Sequence, residues 1–130
     1  MIGVKPSAIL PALTLVVAGC GSHAATTIGS TSTPGTKAVQ VRMINQSGSD
    51  AYAYAPATVK VHAGTQIIWS NQSSAPHTVT SIASPPAFDS GVQHLIQPGQ
   101  HWAHTFSHPG TYRYACLIHP YMTATVVVMR

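Results

Sequence analysis

Three side chains that bind soft metal ions lie close together near the end of the sequence, in the stretch CLIHPYM. Cys116, His119 and Met122 follow one another at steps of three residues. Thiolate, imidazole and thioether ligands together favour copper, especially Cu(I). Two histidines and one cysteine in a trigonal arrangement, with a weak axial methionine, are the pattern of a blue-copper site. The stretch supplies three of these four ligands, so a second histidine must come from elsewhere in the fold.

His77 is the best placed of the other histidines to complete the set. It lies in the polar loop NQSSAPHTVTS, directly after an apolar strand pattern, and begins the next extended run. His62 alternates outward, and His104 alternates inward, where we expect a core histidine with a satisfied hydrogen bond. A zinc cluster is not expected here, because His101 and His104 face opposite sides of a strand. The remaining histidines in this part of the chain, His94 and His108, lie in loops or turns.

Short strand patterns recur from residue 38 to the end of the sequence, separated by turn residues. They are AVQVRMI, ATVKVHAG, TQIIWSN, HWAHTFSHPG, TYRYAC and TATVVVM. Apolar residues alternate in these stretches, and no long segment has helical periodicity. The sequence therefore predicts an all-β antiparallel β-sandwich of about seven or eight strands.

Strand alternation also predicts where the cysteine points. Cys116 shares a face with Tyr112 and Tyr114, so we expect its thiol to be buried at the end of a strand. Pro120 cannot donate a hydrogen bond to a sheet. We therefore expect the strand to end after Cys116, with His119 and Met122 on the loop that follows.

Composition restricts the protein to one small domain and argues against nucleic-acid binding. The 130 residues include six Lys or Arg and only two Asp or Glu. The basic residues are scattered, whereas a nucleic-acid footprint needs a patch or stripe. With only Asp50 and Asp89 to protonate, the chain is hypothesised to tolerate acid within a limit set by its eight histidines, although compositional drift explains the same numbers.

The first residues predict export. Residues 1–19 have one early cation, Lys5, and a short apolar stretch, as in a secretory signal peptide. The residues VAGC resemble the bacterial lipobox, which implies cleavage before Cys20, a lipid on its sulfur and membrane attachment. A plain signal peptide cut elsewhere, for example after Ala25, is the alternative. Either way the mature protein is expected outside the cytoplasm, in the periplasm or at the outer cell surface, with Cys116 unpaired.

Residues 20–37 are rich in Ser, Thr and Gly and predict a flexible tether. The folded domain is expected at residues 38–130. No internal repeat is visible in the sequence.

The folded part resembles the cupredoxin family, in particular its amicyanin-like and plastocyanin-like members. The resemblance rests on YAPATVKVHAGTQIIWSNQSSAPHTVTS, FDSG, PGQHWAHTFSHPGTYRYACLIHPYM and TATVVV, and covers about residues 38–130. The Cys-x2-His-x2-Met spacing is more similar to amicyanin than to plastocyanin, whose loop before Met is longer. The resemblance implies a Greek-key β-sandwich that binds one type 1 copper ion.

By this resemblance the copper ligands are His77, Cys116, His119 and Met122. The ring edge of His119 then reaches a surface through which single electrons pass to redox proteins such as a cytochrome, dehydrogenase or oxidase. The resemblance implies that this surface is apolar and formed by Pro76, Ile118, His119, Pro120 and Tyr121. Contact with such partners is expected to be weak and transient, and the protein is expected to be a monomer.

The chain departs from the family pattern at positions that are not ligands. Thr78 replaces the Asn that often follows the first histidine, and its backbone N–H is expected to donate to the sulfur of Cys116. Ile118 stands where the family often has Pro, and Ala124 where it often has Gly. These departures leave the reduction potential unpredicted.

Other interpretations of the same residues remain open at the level of sequence. Four protein ligands leave no open position for a substrate, which argues against an enzyme. A copper chaperone or scavenger would use the same soft ligands, and the extra histidines slightly favour it. A structural β-sandwich with zinc or without metal is the third interpretation. An intense visible band from copper–thiolate charge transfer distinguishes a blue-copper electron carrier from these two alternatives.

Overall fold

The computed structural model describes residues 38–130, and these residues form eight strands. The predicted signal peptide, the lipidation site Cys20 and the tether at residues 20–37 lie outside the described residues. The strands are β1 (Val39–Asn45), β2 (Tyr52–Ala55), β3 (Thr58–His62), β4 (Thr65–Asn71), β5 (Thr80–Ser81), β6 (His101–Phe106), β7 (Gly110–Cys116) and β8 (His119–Met129). Residues 38–130 contain no helix that is long and apolar enough to cross a membrane.

The strands form two four-stranded sheets, as the alternating patterns predict for a β-sandwich. The order is β2-β1-β4-β6 in the first sheet and β3-β8-β7-β5 in the second. Both sheets are mixed, because β1 pairs in parallel with β4 and β3 in parallel with β8. The predicted all-β sandwich of about seven or eight strands is confirmed, but these two strand pairs are parallel where antiparallel pairing was predicted. The chain passes from β2 to β3, in the second sheet, at Pro56 and returns at Gly64, which brings β4 beside β1.

Strand alternation sets the faces as predicted. Val59 and Val61 in β3 are buried, while the residues between and beside them are exposed. In β7 Tyr114 and Cys116 are buried on the face that also carries the half-buried Tyr112. Burial of these alternate side chains between the two sheets is the main apolar contribution to stability.

Trp69 lies at the centre of the core and is fully buried. Its ring packs within 6.3 Å, centroid to centroid, of four other aromatic rings, those of Phe88, Trp102, Phe106 and Tyr114. Its Nε1–H donates to the hydroxyl of Tyr114 over 3.0 Å. The indole nitrogen is thus satisfied in a place that water does not reach, so the tryptophan can be buried without an unpaired donor.

His104 lies in β6 on the same face as Trp102 and Phe106. Its ring stacks on that of Trp102, with an angle of 7° between the two ring planes. His104 is only half-buried, and none of the hydrogen bonds found within residues 38–130 involves its imidazole, so the prediction of a core histidine with a satisfied hydrogen bond was wrong. Partial burial lowers the pKa of His104 below its usual value, which favours the neutral ring among these aromatic neighbours.

Candidate metal centre

A loop between β4 and β5 carries His77 into the core at one pole of the sandwich. The backbone of His77 pairs with Ile96 through two hydrogen bonds of 3.1 and 2.9 Å. Its ring is fully buried, and its Nε2 lies 2.6 Å from the hydroxyl oxygen of Ser73. The other ring nitrogen, Nδ1, is the one that faces Cys116 and His119.

The hairpin between β7 and β8 carries the other three candidate residues. Cys116 pairs with His119 across a turn made of Leu117 and Ile118, and β8 begins at His119. His119 and Met122 therefore lie at the start of β8, next to the turn. The prediction that they lie on a loop after the strand of Cys116 was wrong. The next pair in the register is Ala115 with residue 123, so residues 120–122 have no partner in β7.

Proline explains this irregularity. Pro120 has no N–H to donate, and within a sheet such a residue is tolerated at an edge or a bulge. The register shift between Ala115 and Cys116 is that bulge. Met122 then starts a regular inward alternation in β8, and only 1% of its surface is exposed.

The donor atoms of three residues converge. The Nδ1 atoms of His77 and His119 are 3.2 Å apart. The sulfur of Cys116 lies 3.8 Å from Nδ1 of His77 and 3.6 Å from Nδ1 of His119. These three residues form the one group of three potential metal-binding side chains found among residues 38–130.

The separations match those of a trigonal metal site. With metal–nitrogen bonds of about 2.0 Å and a metal–sulfur bond of about 2.3 Å, a planar set of two nitrogens and one sulfur has roughly 3.5 Å between nitrogens and roughly 3.7 Å from nitrogen to sulfur. The observed distances of 3.2, 3.6 and 3.8 Å are close to these values. Thiolate and imidazole donors, with the thioether of Met122 buried at the same end of β8, are a set that favours copper.

Backbone contacts hold the sulfur in place. The N–H of Thr78 donates to the sulfur of Cys116 over 3.3 Å, as predicted. The N–H of Leu117 donates to the side-chain oxygen of Thr78 over 2.9 Å. Thr78 therefore ties the loop of His77 to the turn after Cys116, and its N–H holds the sulfur in position.

Burial also sets the charge state of the neighbouring groups. Desolvation, with a smaller contribution from the charge of His119, lowers the pKa of His77 to about 4. The ring is therefore neutral near pH 7, which is the form that binds a metal. Desolvation, followed by the charges of Cys116 and Tyr114, raises the pKa of Tyr54. Tyr54 thus remains a phenol and donates its hydrogen bond to the carbonyl of Thr78.

Tyr52, at the start of β2, was not predicted as part of the site. Its ring centroid lies 4.9 Å from that of His77 and 4.8 Å from that of His119. Its backbone N–H donates to the hydroxyl of Tyr121 over 3.3 Å. The alternation of YAYA places Tyr52 and Tyr54 on one face, but nothing local indicates that this face meets the histidines.

The surface above the site is apolar. Ile118 is 42% exposed and Tyr121 is 56% exposed, while Pro120 is exposed and His119 half-buried. Leu117, which was not predicted to belong to this surface, is also exposed. The residues that the sequence proposed for an electron-transfer surface therefore include exposed apolar side chains next to a histidine of the candidate centre.

Comparison with known proteins agrees with this geometry. A sequence profile for copper binding proteins of the plastocyanin/azurin family matches residues 41–129. Amicyanin-alpha of Methylorubrum extorquens is 35% identical over 71 residues, which are 54% of this chain and 59% of that protein. Amicyanin of Paracoccus versutus is 30% identical over 81 residues, 62% of this chain and 61% of that protein. The matched part of the chain thus spans about three fifths of the length of these relatives.

Solved structures show the same fold. A purple cupredoxin from Nitrosopumilus maritimus superposes with a TM-score of 0.61 and 28% identity, covering 70% of this chain and 99% of that one. A reduced Cu(I) form of an amicyanin variant superposes with a TM-score of 0.60 and 25% identity, covering 72% of this chain and 83% of that one. Together with the arrangement of His77, Cys116, His119 and Met122 as a type 1 copper site, the match over residues 41–129 shows that the chain belongs to the plastocyanin/azurin family of copper-binding proteins, the cupredoxins.

Proposed function

We propose that this protein is a blue, type 1 copper protein that carries single electrons between redox partners outside the cytoplasm. The observation that carries the proposal is the convergence of two imidazole nitrogens and one thiol sulfur, 3.2 to 3.8 Å apart, at one pole of the sandwich. The names of its amicyanin relatives support the same class of protein.

Each candidate residue has a distinct role in this proposal. His77 and His119 would hold copper through Nδ1 and Cys116 through its sulfur, with the thioether of Met122 as the fourth ligand. Bound copper supplies the one-electron Cu(II)/Cu(I) couple. The protein residues would hold one arrangement of donors in both oxidation states, because Cys116, His77 and Met122 are buried and the first two are also fixed by hydrogen bonds.

The burial of these side chains argues for electron transfer rather than catalysis. A catalytic metal needs an open coordination position for substrate. Here His77 and Cys116 are fully buried and Met122 is almost so. His119 is the half-buried member of the set and therefore the natural route for an electron to the surface.

The electron-transfer surface of the proposal consists of Pro76, Ile118, His119, Pro120 and Tyr121. Its exposed apolar side chains favour contact with an apolar area of a redox protein such as a cytochrome, dehydrogenase or oxidase. A surface of a few side chains is too small for a permanent complex, so the contact is weak and transient. The protein acts as a monomer.

Lipid on Cys20 would keep the protein at the membrane. Such an anchor, in the periplasm or at the outer cell surface, raises the local concentration of membrane-bound redox partners. We expect wild-type protein in the membrane fraction and a Cys20→Ala variant in the soluble fraction. We also expect the mass of the wild-type protein to exceed that of its polypeptide chain by the mass of the attached lipid. Wild-type protein without a lipid mass would contradict the anchor.

The test of the metal centre is the visible spectrum of the copper-loaded protein. Wild-type protein is expected to show an intense thiolate-to-copper band, and Cys116→Ser is expected to lose it. His62→Gln, which alters an exposed histidine in β3, is the matched control and should keep the band. A colourless wild-type copper complex would favour the chaperone or scavenger hypothesis instead.

A further inference from the structure

The buried side chain of Asn71, at the end of β4, has an amide whose orientation is set by its neighbours. One end of the amide contacts the carbonyl oxygens of Ala75 and Ile96, each over 2.8 Å. Carbonyl oxygens only accept hydrogen bonds, so this end is the NH2 group. The opposite end is therefore the carbonyl oxygen Oδ1, which accepts from the N–H of Ser73 over 2.9 Å.

The orientation of Asn71 decides which way the hydroxyl of Ser73 donates. Its oxygen lies 2.7 Å from Oδ1 of Asn71 and 3.1 Å from the carbonyl oxygen of Ala75. Neither of these atoms carries a hydrogen, so the single hydrogen of the hydroxyl must go to one of them. If it pointed to His77 instead, the hydroxyl would face two oxygen atoms with no hydrogen between them.

The contact between Ser73 and His77 therefore has the imidazole as donor. The hydroxyl oxygen of Ser73 lies 2.6 Å from Nε2 of His77 and accepts its hydrogen. The oxygen also accepts a longer bond of 3.4 Å from the N–H of Ala75, which uses its second lone pair. Both donor and acceptor capacity of the hydroxyl are then fully used.

We infer that Asn71 and Ser73 act as a positioning relay that holds His77 in the tautomer with its hydrogen on Nε2. This tautomer leaves a lone pair on Nδ1, directed at the sulfur of Cys116 and Nδ1 of His119. The tautomer concerns the metal-free chain by itself; the consequence for copper rests on the proposed function.

The relay is buried, which makes it difficult to replace. Asn71 is 1% exposed, Ser73 5% and His77 0%, so bulk water does not take over a lost hydrogen bond. Through Asn71 the relay also joins the end of β4 to the segment at Ile96, which pairs with the backbone of His77. Both the ring's hydrogen and the ring's position thus depend on the same two polar residues.

The first test is the tautomer of His77 in the metal-free full chain. Two-bond proton–nitrogen NMR correlations distinguish a ring with hydrogen on Nε2 from one with hydrogen on Nδ1. At neutral pH we expect the Nε2–H pattern for His77. An Nδ1–H pattern, or a rapidly exchanging mixture of both, would overturn the inference whether or not the chain binds copper.

The second test is the copper affinity of Ser73 variants of the full chain, measured by competition with a chelator. Ser73→Ala should weaken copper binding by about 10- to 100-fold and give a mixture of His77 tautomers in the metal-free protein. Ser73→Thr retains the hydroxyl and should restore both properties. Ser74→Ala is the matched control, since the exposed hydroxyl of Ser74 accepts from the side-chain amide of Asn45 and has no other partner among residues 38–130.

The outcomes separate the relay from the proposed function. Wild-type affinity in Ser73→Ala, or equal losses in Ser73→Thr and Ser73→Ala, would overturn the relay while leaving the copper centre intact. Wild-type protein that does not bind copper would overturn the proposed function, and the NMR test of the metal-free chain would still decide the tautomer. If Ser73→Ala does not fold, Ser73→Thr and the wild-type NMR pattern carry the test.

Discussion

Acid should destabilise the metal-free protein because it must charge a buried histidine. The His77 ring is fully buried, and its Nδ1 lies 3.2 Å from that of His119. Burial, and then the charge of His119, lowers the pKa of His77 from 6.5 to about 4. The unfolded chain therefore binds this proton more readily than the folded one between these two values. Stability is highest above pH 6.5 and falls as the pH drops towards 4.

The size of the effect follows from the shift. One pKa unit corresponds to about 1.4 kcal/mol, so the full loss approaches about 3 kcal/mol near pH 4 and reaches about 2 kcal/mol at pH 5. The pKa of His104 is also lowered by burial and adds a loss of the same sign. This is a large share of the roughly 5–15 kcal/mol that typically stabilises a folded domain. The histidines were hypothesised to limit how much acid the folded chain tolerates. We expect His77 to make the largest contribution to that limit.

Urea denaturation of metal-free protein at pH 7.5, 6 and 5 measures this loss. His77→Gln removes the titrating ring and should flatten the dependence on pH, even if it lowers stability at every pH. His62→Gln, in which an exposed histidine is replaced, should keep the wild-type dependence. A wild-type free energy of unfolding that changes by less than about 1 kcal/mol between pH 7.5 and 5 would refute the reasoning. So would an unchanged slope in His77→Gln.

Three further predictions concern the supports of the site. Tyr114→Phe leaves the buried Trp69 N–H without an acceptor and should lower the unfolding free energy by about 1–3 kcal/mol in urea denaturation, unlike Tyr112→Phe, which removes only an exposed hydrogen bond to the carbonyl of His108. Gly64→Ala should lower the unfolding free energy by about 1 kcal/mol or more, because φ there is 91°, a conformation that residues with a Cβ rarely adopt. The added Cβ meets no atom within 4 Å, so the loss would come from backbone strain and not from a clash, and an unchanged melting temperature would contradict it. Tyr52→Ala should lower stability by about 1–3 kcal/mol and speed copper loss to a chelator, whereas wild-type loss rates would show that its ring does not cover the histidines.

The faces of the strands could be predicted because alternation is a local property. Val59, Val61 and Cys116 point inward as their positions in β3 and β7 require. The parallel pairing of β1 with β4 could not be read in the same way. It depends on the chain leaving the first sheet after β2 and returning after β3, and no residue in β1 or β4 records that path.

The candidate site was predictable where its residues are close in sequence. Cys116, His119 and Met122 lie in one hairpin, so their spacing already indicates a shared metal. His77 lies 39 residues upstream of Cys116. Its position in a polar loop directly after a strand pattern made it the best candidate, and the resemblance to cupredoxins implied the same residue. Ser73 was missed because a serine in a polar loop is common, and its role appears only when the orientation of the Asn71 amide is known.

The even spacing of CLIHPYM is incompatible with a regular strand. Residues three positions apart on a strand point to opposite faces, so His119 and Met122 in an undisturbed β8 could not face one metal ion. Pro120 removes the hydrogen bond that would continue the pairing, and the register jumps from Cys116–His119 to Ala115–residue 123. The bulge shifts the phase of alternation between His119 and Met122, so that the half-buried imidazole and the buried thioether lie at the same pole as Cys116. The proline within the motif is therefore as much a part of the candidate centre as the residues that supply the donor atoms.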